Sequence, residues 1–395
     1  MGCKLRYWRS GLLSAAISVL CATPAVSAGD AEPAWSLSLA YKADIAGVAR
    51  GGVKHGVRAL DNLDVTLEAD LEQLAGWHGA HLYVDGLNNF GGRPNDLAGT
   101  LQGVNNIEVA DTHAKLYQAW IDQQAGDHVS ILAGLYDLNS EFYHNETSGL
   151  LIAPPFGIGS ELSATGPNGP SIFPSTALSA RLRVTGKSSY AQVAVINAHA
   201  GTVGDVGGVD LSAKEGALLI GEVGWTGSGK IALGAWRYTK RQPRIVAPGL
   251  TAAPPPHRAQ GAYLLLEHDL VGSEDKPRFV HGFLRVGLSD GKTTPFSGGW
   301  QAGILVDRPI AARPESAFSI GFADGALSSN YRMPVAEAGG LPPHERMVEL
   351  TYSDRLMEQV SLQPDLQYFF RPAGDSGLRN VLVLGLRLQV DLKIH

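Results

Sequence analysis

Arg181 and Arg183 stand two residues apart in a run where apolar and polar residues alternate, so both guanidinium groups share one face of an extended chain. Arginine offers a rigid planar fork of donors, and carboxylates and amides accept or return such bonds. Asp85, Asn88 and Glu222 occupy comparable polar positions in other alternating runs, and Asn139 and Glu141 lie in a long intervening link. Together these residues supply donors and acceptors of both signs at hydrogen-bonding spacing. Such a mixed set gives hydrogen bonds without strongly selecting an ion, is compatible with a neutral, hydroxyl-rich solute, and allows the weak binding that passage requires. These seven are the candidate solute-contact residues. The plainer reading of each is a polar group that wets a water-filled interior.

Other motifs fail on their chemistry. Gly224-Trp225-Thr226-Gly227-Ser228-Gly229-Lys230 has phosphate-loop spacing, but Ile231 stands where a magnesium-binding hydroxyl is needed, and the run leads into a strand. Gly374-Asp375-Ser376-Gly377 is broken by Leu378, and no partner His and Asp can be assigned to Ser376. His78 and His81 point to opposite faces of a strand, which disfavours a shared metal. No GxSxG elbow occurs. The reading is therefore of no enzyme, no metal and no cofactor.

The elements carrying these side chains are strands. Trp35, Leu37, Leu39, Tyr41, Ala43 and Ile45 alternate with Ser36, Ser38, Ala40, Lys42 and Asp44. Leu63 to Glu72 and Leu382 to Leu392 repeat the pattern, and a period of two places successive side chains on opposite faces. About sixteen such segments follow from strand and turn signals, most long enough to cross a bilayer at about 9–11 tilted residues. The links alternate long and short. Long ones are 48–60, 90–112, 138–176, 200–216, 240–258 and 324–344; short ones include 124–127, Lys187 and Gly227-Ser228. Long extracellular loops and short periplasmic turns are the signature of a bacterial outer-membrane barrel. The expected fold is all-β, a transmembrane antiparallel β-barrel of about 16 strands with both termini periplasmic.

On that barrel the further lumen-facing candidates are Lys42, Asp44, Glu68, Asp70, Gln118, Asp122, Arg285, Gln301, Glu349, Asp365, Gln367 and Arg387. Trp35, Trp120, Trp225, Trp236 and Tyr238 are expected in the aromatic girdles that face lipid, rather than on a sugar-sliding surface inside. The 138–176 link, rich in Gly, Pro and Ser, is long enough to fold inward and narrow the pore.

Residues 1–28 read as a Sec signal peptide: Lys4, Arg6 and Arg9, then an apolar run, then Ala-Val-Ser-Ala ending at Ala28. The mature domain is then 29–395. It has lost both cysteines, Cys3 and Cys21, and carries 29 basic against 38 acidic residues, or −9. That balance argues against nucleic acid as a partner. Glycine is abundant at 48 residues, and no apolar stretch after the leader is long enough for a transmembrane helix.

Particular segments carry a resemblance. Tyr136-Asp137-Leu138-Asn139-Ser140-Glu141-Phe142, Gly169 to Pro174 followed by Ala177 to Arg181, Asp85 to Asn89, and Pro364 to Tyr368 resemble the carbohydrate-selective porin (OprB) family. The resemblance implies a sixteen-stranded barrel in the Gram-negative outer membrane, with passive diffusion of small sugars such as glucose. It leaves monomer and homotrimer open, with outer-membrane lipid as the surrounding partner. The alternatives are a general diffusion porin, a barrel enzyme or a secreted β-rich sugar binder. One departure is the C-terminus, where His395 stands in place of the aromatic residue common in such barrels.

Overall fold

The computed structural model describes residues 33–245, 254–272, 278–336, 344–375 and 377–394. The expected signal peptide 1–28, Ser376 and His395 lie outside the described residues.

Sixteen antiparallel strands form one closed sheet. They are β1 Trp35–Arg50, β2 Gly56–Asp70, β3 Ala80–Gly91, β4 Ala114–Ala125, β5 Val129–Tyr136, β6 Ala177–Thr185, β7 Ser189–Asn197 and β8 Ala217–Thr226. They continue with β9 Gly229–Tyr238, β10 Gln260–Val271, β11 Phe279–Ser289, β12 Phe296–Asp307, β13 Ala317–Leu327, β14 His344–Met357, β15 Val360–Phe370 and β16 Val381–Ile394. Each pairs with its chain neighbours, and β1 closes on β16 from Leu37↔Ile394 to Val48↔Val383. Closure removes the open edges that a sheet cannot leave unpaired in lipid.

The expected strand count and alternation are present, with two local differences. The first link contracts to 51–55 because β1 and β2 extend into it, and Gly51 and Gly52 turn the chain at φ 71 and 67. At its other end β2 stops at Asp70, whose carboxylate accepts the N–H groups of Glu72 and Gln73. That cap starts a one-turn helix, α1 Leu71–Ala75, where the apolar alternation alone implied more strand.

The outward face is apolar and uncovered. On β9, Ile231 and Leu233 point out with Leu233 55% exposed, while Ala232, Trp236 and Tyr238 are buried inside. Such a surface is matched to hydrocarbon, not to water. This register also corrects the girdle assignment. Trp35 and Trp225 are outward and exposed, but Trp236 and Tyr238 share the inward face, as does Trp120 opposite Gly134. A shift of one position along a strand reverses the face, and aromatic type alone does not indicate which face is wet.

Candidate functional site

Two long loops fold into the barrel, and the polar inner wall holds them there. The loop 137–176 leaves β5 beside β4. Asp137 accepts from Tyr117 Oη at 2.6 Å, and its N–H donates to Gln118 Oε1 at 3.1 Å. Burial pushes the Asp137 carboxyl up from its ordinary range, against the bonds from Tyr117 and Asn139.

Glu141 then meets β6. Arg181 Nε and Nη2 donate to its two carboxylate oxygens at 2.8 and 3.1 Å, and Arg183 Nη1 approaches at 3.5 Å. Tyr136 Oη donates to Glu141 at 2.6 Å. Arg181 reaches on to Ser130 and to Asp122 Oδ2, the latter at 3.3 Å. The fork geometry of Arg181 is what lets one side chain join the loop to β5 and, beyond it, to β4.

Further along, the loop backbone is bonded to a succession of strands. Glu222 on β8 accepts the Tyr143 N–H at 3.0 Å, together with Tyr190 Oη and Tyr263 Oη at 2.6 Å each and Gln192 Nε2 at 3.4 Å. Lys230 on β9 donates to His144 O at 2.7 Å, and Glu267 on β10 accepts the Thr147 N–H at 2.6 Å. Arg285 on β11 is 0% exposed and donates to Gly157 O and Pro155 O at 2.8 Å each. Glu349 on β14 accepts the N–H groups of Ile152 and Ala153, and Gln363 on β15 donates to Leu150 O at 2.7 Å. Inside this belt Tyr143 stacks on Tyr263 at 4.1 Å and donates to Glu161 at 2.8 Å. Burial pushes the Glu161 carboxyl up, against the Tyr143 hydrogen bond and the nearby Arg285 charge.

The second inner loop, 92–113, is held by β14, β15, β16 and β1. Glu345 accepts the N–H groups of Leu101 and Gln102 at 3.0 and 2.9 Å. Gln367 donates to Val104 O at 2.9 Å. Arg387 forms a bidentate pair with Asp44 at 2.8 Å, and Asn105 donates to the same carboxylate at 2.6 Å. Among the described residues, Tyr83, Asp85, Trp120 and Asp122 on β3 and β4 carry no hydrogen bond to either loop.

The candidates thus divide. Arg181, Arg183 and Glu141 come together as one network. Asp85 faces the interior and is 5% exposed. Glu222, 2% exposed, holds the loop instead of lining an open surface. Asn139 closes the first turn of the loop, donating to Phe142 O at 3.2 Å. Asn88 points outward, opposite Leu63, and its neighbour Asn89 is the inward residue, donating to Asn62 Oδ1 at 2.9 Å. Asn88 stands three residues from the inward Asp85, an odd spacing that puts the two on opposite faces of β3 and makes Asn89 the inward member of the pair. Glu161 and the tyrosines Tyr143, Tyr190 and Tyr263 were not singled out. The two strand tyrosines, Tyr190 and Tyr263, sit at inward positions that alternation identifies; the loop residues follow no period.

A family model described as the carbohydrate-selective porin, OprB family, matches residues 54–392. Comparison with curated proteins finds no match. Among solved structures, the high-pH structure of Pseudomonas putida OprB is similar at a TM-score of 0.81 with 19% identity, covering 91% of this chain and 94% of that one. The low-pH structure of the same protein gives a TM-score of 0.59 with 16% identity, covering 91% and 93%. The Acinetobacter baumannii outer membrane channel DcaP gives 0.53 with 9% identity, covering 91% and 97%. At these identities the structural likeness speaks to the fold.

Proposed function

The chain belongs to the carbohydrate-selective porin family, OprB, an outer-membrane channel family, and from that premise we propose that its pore admits glucose or sugars of similar size beside the inward loop 137–176. The fold and family make it a channel rather than an enzyme. Residues 1–28 act in this reading as the export leader.

The observation that supports the sugar preference at residue level is the Arg181, Glu141, Arg183 and Asp122 network. Its charges are paired across the loop and the wall, so no isolated charge is left to hold an ion. Arg181 spends its donors inside the network, and the more exposed Arg183 keeps guanidinium N–H groups suited to paired hydroxyls, as weak and reversible contacts. The test is solute entry into proteoliposomes over a panel of monosaccharides, disaccharides and matched salts. Wild type is expected to favour monosaccharides, and Arg181→Ala combined with Arg183→Ala to lose most of that preference. An unchanged preference in the double variant removes the two arginines from the selective step.

A further inference from the structure

We propose that the inner faces of β3 and β4 form a pyranose-binding step, in which the Trp120 indole stacks against the apolar C–H face of the sugar while Asp85 and Asp122 accept hydroxyls on either side of it. This deepens the sugar-permeation reading and rests on it.

The ladder between the two strands sets three inward rows: Asp85 opposite Gln118, Tyr83 opposite Trp120, and His81 opposite Asp122. Successive rows are two residues apart, about 7 Å along the strand. The wall therefore reads polar, aromatic, polar over about 14 Å, with each carboxyl-bearing row one step from the aromatic row.

The aromatic row is ordered and only partly exposed, since Trp120 also packs against the buried cluster that includes Leu132 and Tyr136. Tyr83 and Trp120 stack nearly parallel, at 4.8 Å and 8°. Trp120 Nε1 donates to Gln118 Oε1 at 3.3 Å, which pins the ring in plane. Tyr83 is buried and Trp120 is partly exposed, so the accessible aromatic surface of the pair belongs to the indole. On β5 the residue facing Trp120 across the ladder is Gly134, which has no side chain to lay over it. A flat, preoriented indole gives up little conformational freedom when a ring stacks on it.

The flanking rows supply free acceptors. Asp85 Oδ1 and Asp122 Oδ1 are both buried and without a partner in the protein. An unpaired buried acceptor is unfavourable until a donor reaches it, and the hydroxyls of a pyranose are donors on the ring's edge. The other oxygen of Asp122 is held by Arg181, so the step connects directly to the arginine network. An acyclic polyol has the hydroxyls but no flat C–H face, and so engages only part of it.

The experiment is titration of ion-current block in planar bilayers, using the full-length protein, with glucose as the pyranose probe and sorbitol as the acyclic one. Trp120→Ala is expected to raise the half-blocking glucose concentration about fivefold, the scale of one lost aromatic contact, with Trp120→Phe close to wild type and sorbitol block changed little in either. Asp85→Asn is expected to weaken glucose block on its own, and it decides the matter should Trp120→Ala form no channels. Glucose block unaltered in Trp120→Ala, or in Asp85→Asn, overturns the assignment. So does equal weakening for glucose and sorbitol, which marks a reshaped pore. A wild-type channel that conducts ions yet shows no response to any sugar overturns the permeation reading itself, and is distinguished from the preceding outcomes by the wild-type trace alone.

Discussion

Glu222 is the place to test whether the inward loop is held by the wall. Its Oε2 accepts the Tyr143 N–H and Tyr263 Oη, and its Oε1 accepts Tyr190 Oη and Gln192 Nε2. In Glu222→Gln one oxygen becomes an amide NH2. A hydroxyl can turn to accept from that amide, but the Tyr143 N–H is a fixed donor, so the remaining oxygen must stay on the Oε2 side. The bonds to a charged acceptor, each about 1.5–3 kcal/mol, become bonds to a neutral one, each about 0.5–1.5 kcal/mol. Of these bonds the one from the Tyr143 N–H reaches the loop, Tyr190 and Tyr263 being wall residues, so the loop loses about 1 kcal/mol of direct anchoring. The sixteen-strand ladder is untouched, so the barrel still inserts. Single-channel recording should then show greater open-channel noise and faster passage of disaccharides, and limited proteolysis should cut within 141–150. A channel as quiet and as size-restrictive as wild type, with the loop equally protected, would refute the view that Glu222 anchors the constriction.

Two other outcomes follow from the same geometry. Leu233→Arg, near the middle of an outward-facing strand, should lower barrel stability in lipid by about 2–4 kcal/mol, read from the denaturant midpoint of unfolding in vesicles; an unchanged midpoint contradicts the outward register of β9. Burial opposes ionisation of Asp205, but the bonds from Lys115, Ser175 and the Thr202 N–H outweigh it and hold its carboxyl below the usual range. A depressed pKa stabilises above the unfolded value and loses that contribution as pH falls through the folded one. Segment 198–216, which Asp205 ties to β4, should therefore stay protected from hydrogen exchange above about pH 4 and loosen progressively below it. Equal protection on both sides of that pH contradicts the role.

Much of the barrel could be read from sequence because period-two alternation is a local property. Each strand in lipid must show apolar residues outward and can show polar ones inward, so Leu37 to Ile45 or Leu384 to Leu392 disclose their faces unaided. Alternating loop lengths then sort the two ends, and an even strand number closes the sheet. The site was only partly readable. Arg181 and Arg183 were on view as a pair on one face. That Glu141, forty residues earlier in sequence than Arg181, would be their partner was decided by how the 137–176 loop lies in the closed cylinder. The same closure turned Glu222, Arg285 and Glu349 from apparent pore-lining groups into anchors for backbone groups on that loop. Buried loop backbone must find partners, and the inward polar side chains were the ones within reach. Alternation itself puts Asn88 opposite in face to Asp85 and Trp120 on the face of Gln118 and Asp122, whereas at Trp236, in a run of small and apolar residues, pairing with the neighbouring strands chooses the face. The sequence alone determined which segments are strands and the polarity of their two faces, because both follow from neighbours a few residues apart. Which inward groups remain free to meet a sugar depends on which are taken up by loops folded back from distant points in the chain, and that is settled only in three dimensions.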